Sequence, residues 1–269
     1  MKKSLMKVLT VGLCLTIAVA FTACGSKKSA DKSGAKKDSG KTYTVAMEPT
    51  FPPFNTTNKD GDLDGFDVDM LKAIAKDQGF KVEFKNMAFA SLVPALKAGS
   101  ADIVASGMSI TDDRKKSVDF SDPYYESGLI VMVKKSNNTV KGESSLTKDM
   151  KVASQTGTTG ADEATKLEKA GKIKKAVILD GFDTCVQQLK NGDVAAVIID
   201  KPVGENYMAK QKGQFKAVGK TMSAENFGIA VKKGNKELLK QLNDGLKDIV
   251  KSGEFKKICD KWNVASIYE

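Results

Sequence analysis

The sequence predicts an α/β protein built on mixed, mostly parallel sheets. Short apolar runs of strand length alternate with amphipathic segments at helical spacing, and glycines punctuate the joins. An internal echo adds to this. "ALKAGSADIVASG" (95–107) and "QLKNGDVAAVIID" (188–200) each read as a helix ending in Leu-Lys-x-Gly, an apolar strand, then a small or polar residue. Aligned on Gly99 and Gly192, Gly107 falls opposite Asp200. This is the pattern of two similar βα lobes, or of two ordinary βα units that happen to match. In open α/β sheets, ligands bind at the carboxyl ends of such strands.

The elements follow in order. Residues 42–47 (TYTVAM) read as a strand. "DVDMLKAIAKDQG" places Val68, Leu71, Ile74 and Ala75 on one helical face, with Gly79 as the stop. "KVEFKNM" (81–87) is a strand, "SLVPALKAG" (91–99) a short helix closed by Gly99, and "ADIVAS" (101–106) a buried strand. A longer strand spans 128–135 (GLIVMVKK). After it come a strand "KVASQT" (151–156), a helix over 161–170, a strand "KAVILD" (175–180), a helix over 183–190 and a strand "VAAVIID" (194–200). "GIAVKKG" (228–234) is the last strand, followed by helices over 235–250 and 253–262. In the final helix Phe255, Ile258, Cys259 and Trp262 recur at helical spacing and read as core packing.

The ends bound the class. Lys2, Lys3 and Lys7 precede the uncharged apolar run Val8–Phe21, which is short for a membrane span and reads as an export signal (1–23). "FTAC" (21–24) resembles a lipobox, making Cys24 the lipid-carrying N-terminus of a membrane-anchored, extracytoplasmic lipoprotein. Residues 24–42 then read as a disordered tether with no large apolar side chain between 25 and 41, about 20–25 Å as a flexible coil. Residues 1–42 carry nine lysines and two aspartates, +7 of the chain's +10. The basic excess therefore lies on signal and tether, and no nucleic-acid partner is expected. Of four cysteines, Cys14 lies in the signal and Cys24 would carry lipid. Cys185 and Cys259 sit in apolar helical patterns, as buried thiols do. The chain has no histidine, and no metal site or cofactor is expected. Residues 43–269 suffice for one large domain or two small ones.

Of 43 basic residues, 42 are lysine; the exception is Arg114, in "SGMSITDDRKKSVDFSDPYY" (106–125). Arginine presents a planar fork that meets a carboxylate or phosphate with two parallel hydrogen bonds, which lysine cannot do. The lone arginine marks a position where geometry matters, or a surface residue left by chance.

The segments "AMEPTFPPF", "GFDVDML", "PALKAGSADIVASGMSITDDRKKSVDFSDPYY", "SQTGTTG" and "VIIDKP" occur in the order found in extracellular solute-binding protein family 3. These are the amino-acid-binding proteins of ABC importers, and the resemblance covers 43–265. It implies a two-lobed, type II periplasmic-binding-protein-like fold joined by two hinge strands. Lobe 1 would span 43–126 plus 226–269 and lobe 2 127–225, crossing near "YYESGL" and "ENFGIA". The resemblance also implies roles. Arg114 would clamp the ligand's α-carboxylate, with backbone help from Ser109, Gly157, Thr158 and Thr159. Asp200, the Gly107 carbonyl and the Ser109 hydroxyl would hold the α-ammonium. Phe51 and Phe89 would sandwich the aliphatic part. Glu48 and Gln155 would set specificity, for a basic or a glutamine-like side chain respectively. The partners implied are a small L-amino acid, an ABC permease, and the membrane through the lipid anchor, with a monomer as the working form. Two rivals share the scaffold: an enzyme such as an aromatic-pathway dehydratase, against which the missing histidine weighs, and an extracellular amino-acid sensor module.

Overall fold

Each of the two echoed helices ends on a left-handed glycine, Gly99 at φ 77° and Gly192 at φ 93°, whose N–H returns to the last helical turn. In the computed structural model, which describes residues 40–268, the chain turns at these caps into the central strand of each of two five-stranded sheets. The export signal, Cys24 and the tether up to residue 39 lie outside the described residues.

The first part of the chain holds β1 (Thr42–Met47), a small hairpin of β2 (Thr56–Thr57) and β3 (Leu63–Asp64), and α1 (Phe66–Gln78). It continues through β4 (Lys81–Asn86), α2 (Phe89–Ala98), β5 (Ile103–Val104), α3 (Asp112–Lys115) and β6 (Val118–Phe120). The middle holds β7 (Tyr125–Ser127), β8 (Leu129–Lys134), β9 (Lys151–Gln155), α4 (Thr159–Lys169), β10 (Lys175–Leu179), α5 (Phe182–Asn191), β11 (Ala196–Asp200), α6 (Lys201–Lys210) and β12 (Phe215–Val218). The last part holds β13 (Glu225–Phe227), β14 (Ala230–Lys232), α7 (Lys236–Lys251) and α8 (Glu254–Trp262).

Strand order is β4-β1-β5-β14-β6 in one sheet and β10-β9-β11-β8-β12 in the other. The first three strands of each run parallel, because helices connect them. The fourth strand, β14 or β8, pairs antiparallel with both its neighbours, so in each sheet one strand runs against the other four and the sheets are mixed and mostly parallel, as expected. The two sheets thus repeat one arrangement, with β1 matching β9 and β5 matching β11. β7 and β13 pair antiparallel, Glu225 opposite Ser127, where the chain passes between the lobes.

Sequence periodicity missed α6, whose first turn carries Pro202 and whose middle carries Gly204. Gly204 lies against the Ile130 and Ile199 side chains, where a Cβ would fall 2.8 Å from the Ile130 Cδ1. Short β6, β7, β12 and β13 also escaped it, being too brief for alternation to register. Cys185 and Cys259 are buried and unbridged.

Candidate functional site: the cleft between the lobes

The residues singled out from the sequence lie at or just beyond the carboxyl ends of matching strands: Glu48 after β1, Gly107 and Ser109 after β5, Gln155 ending β9, and Asp200 ending β11. Thr158 caps α4, its hydroxyl accepting from the Ala161 N–H at 3.2 Å. Gly157 precedes it and Thr159 opens the helix. Arg114 sits in α3, a single turn capped by Thr111.

The two lobes meet across this cleft. The Arg114 guanidinium donates to the Ser109 carbonyl at 2.7 Å and, from the opposite wall, to the Gly157 carbonyl at 2.9 Å. It lies 5.4 Å from the Phe89 ring centroid, within cation–π range. Burial lowers its pKa, while the charges of Asp200, Glu225 and Asp162 oppose that.

Asp200 is 3 % exposed, and its Oδ1 is buried without a hydrogen-bond partner. Burial pushes its carboxyl up to about 8. The Glu225 charge adds to this, and Arg114 pulls the other way. An ionised carboxylate in such a place needs a cationic donor.

Glu48 is 5 % exposed. Burial raises its pKa, and hydrogen bonds from Gln155 and Thr50 offset part of the rise. The Thr50 N–H and hydroxyl each donate to the Glu48 carboxylate at 3.0 Å, and the Thr50 hydroxyl accepts from the Phe182 N–H of the facing lobe at 3.0 Å. Gln155 donates to the Asp180 carbonyl at 2.9 Å, while its Oε1 is buried without a partner. Asp183 adds a second negative charge beside Glu48. Both carboxylates, after burial, raise the Tyr207 pKa. This end of the cleft is acidic.

Phe51 is 2 % exposed and packs on Phe54, Phe182 and Phe227, with centroids 5.9–6.0 Å apart. Its ring lies against Gly107, where a Cβ would fall 2.2 Å from it and φ is +52°. Glycine is required there by both close approach and conformation. Behind Gly107, the buried Asp67 carboxylate accepts from the Gly107 N–H at 2.9 Å and from Asn55 at 2.8 Å. Burial raises the Asp67 pKa to about 6.

Sequence reasoning missed Thr50, Asp67, Asp183, Tyr207 and Glu225. Thr50 stands two residues after Glu48, a spacing at which a hydroxyl and N–H can reach back to a carboxylate. Glu225 lies in the "ENFGIA" crossover. Asp183, on α5, had no local signal.

Fold and site define a two-lobed solute-binding protein of the type II periplasmic class. Residues 43–265 match the model of the bacterial extracellular solute-binding proteins, family 3, and the chain belongs to that family. A probable histidine-binding protein of Neisseria gonorrhoeae is 39 % identical over 247 residues, 91 % of each chain. The solved structure of an ancestral arginine-binding protein bound to arginine superposes with a TM-score of 0.78 at 45 % identity, covering 82 % of this chain and 97 % of that one. An ancestral arginine-binding protein bound to glutamine gives 0.76 at 44 % identity, covering 85 % and 98 %.

Proposed function

We propose that this protein captures an L-amino acid with a cationic side chain outside the cell and delivers it to the membrane permease of an ABC importer. The observation that carries the reading is the Asp200 carboxylate, buried with an unpartnered oxygen, on the lobe facing Arg114. A zwitterion taken from water needs a partner at each end, since an unpaired buried charge is costly. Arg114, aided by amides at Ser109 and at Gly157 to Thr159, takes the α-carboxylate. Asp200, with the Gly107 carbonyl and Ser109 hydroxyl, takes the α-ammonium. Phe51 and Phe89 flank the aliphatic part.

Glu48 and Asp183 favour a cationic side chain at the far end, consistent with the histidine- and arginine-binding relatives. The unpartnered Gln155 Oε1 would accept from an amide as readily as from a guanidinium, which supports glutamine as the second reading.

The proposal includes lobe boundaries at 43–126 with 226–269 and at 127–225. It also includes a lipid anchor on Cys24, a monomeric working form, and binding without turnover. Closure is driven by a ligand that touches both walls together.

A thermal-shift screen against the standard amino acids, followed by calorimetry, tests it. Saturating ligand raises the melting temperature of a protein that binds it in the native state. Lysine, arginine or histidine should give the largest rise. Arg114→Ala should cost about 3–5 kcal/mol, two to nearly four decades of affinity. Unchanged affinity in that variant would remove the clamp. A shift with glutamine alone would move specificity to Gln155. The absence of any shift after unfolding, dialysis and refolding would overturn the amino-acid reading.

A further inference from the structure

Glu225 stands on β13, one of the two paired strands that carry the chain between the lobes. Its Oε2 accepts from the Ser109 hydroxyl of the first lobe at 2.5 Å and from the Thr159 hydroxyl of the second at 3.0 Å. Its Oε1 accepts from Ser223 at 3.0 Å. The strand is itself fixed to the Ser109 loop, because the Ile110 N–H donates to the Asn226 carbonyl at 2.7 Å and Ser109 bridges Phe227. The Ser109 hydroxyl and carboxylate are therefore bound to one strand, and the Thr159 hydroxyl is the partner that approaches from the facing wall. Hydrogen bonds to an ionised acceptor are about twice as strong as neutral ones. The carboxylate also sits close enough to Asp200 and Arg114 to act on the ionisation of both.

We propose that Glu225 is a positioning residue for capture: a carboxylate on the hinge strand that ties a hydroxyl from each lobe to one oxygen and so favours the closed cleft. The inference rests on the reading above for its consequence in affinity, and on Ser109 and Thr159 alone for its consequence in closure. Glu225 acts through these hydroxyls and through the field at Asp200.

Three variants test it: Glu225→Ala, Glu225→Gln and Thr159→Val, each compared with the full chain and singly and doubly combined. Closure is read without ligand from hydrogen exchange at the Phe182 amide, which donates across the cleft to Thr50 and touches none of the substituted residues. Glu225→Ala should raise that exchange severalfold and weaken amino-acid binding by about tenfold or more. Glu225→Gln keeps an oxygen that accepts hydroxyls and should recover part of both losses. It should also move the pH midpoint of binding downward, because Asp200 loses a negative neighbour; a residue that only supports the fold would leave that midpoint in place. In the Thr159→Val background Glu225→Ala should cost less than in the parent, since the shared interaction is already gone. Wild-type exchange at Phe182 in Glu225→Ala, or losses that add fully with Thr159→Val, would overturn the proposal. A parent protein that binds no amino acid overturns the functional reading instead, and the exchange measurement still decides the tie.

Discussion

A carboxyl that stays protonated near neutrality forms an ion pair with an ammonium only after losing its proton. Asp200 is in that position, pushed up to about 8 from 3.8 chiefly by burial and then by Glu225, with Arg114 opposing. Binding an α-ammonium should therefore release a proton at pH 6–7. Affinity should rise toward pH 8, by at most about tenfold per pH unit. Calorimetry in buffers of different ionisation heat would count the proton, and Asp200→Asn should abolish both the release and the pH slope. The sign for stability is opposite. Between pH 4 and 8 the folded protein holds a proton at Asp200 that the unfolded chain has lost, so this group's contribution to folding falls as pH rises.

At the scale of elements, the site depends on α1 as well as on the strand ends. Asp67, in the first turn of α1, pins the Gly107 N–H and the Asn55 amide. Asp67→Ala would leave both buried donors without this acceptor, at about 1–3 kcal/mol each. Denaturant unfolding should show the loss, and ligand affinity should fall with it because Gly107 is released from its place against Phe51. The repeated motif has the same logic in each lobe. Gly99 and Gly192 turn α2 and α5 into β5 and β11, the central strands, so that Gly107 and Asp200 come to equivalent ends.

For the whole molecule, polar ties among the described residues cross the cleft at Arg114, at Glu225 and at Thr50. Thr50 alone accepts from the Phe182 N–H and, through its carbonyl, from the Tyr207 hydroxyl at 3.1 Å. Phe51 meets Phe182 across the same seam. Tyr207→Phe removes one tie while keeping the ring. It should weaken binding by about 0.5–1.5 kcal/mol, read mainly as a faster off-rate in stopped-flow dissociation, with the fold intact.

Local pattern in the chain determined the α/β class, most helices with their glycine stops, the internal echo, the residue types at the strand ends, and the single arginine. These are legible because burial repeats at 3.6 or 2 residues along one element and because a bidentate contact calls for one side chain. Only the tertiary structure decided that Thr50, Asp183 and Glu225 join them, that α6 is helical despite Pro202 and Gly204, and that one strand of each sheet, β14 or β8, runs against the other four. Those facts depend on which segments the crossover brings face to face. Glu225 is 116 residues from Ser109 and 66 from Thr159, and no periodicity within one segment carries a contact between three.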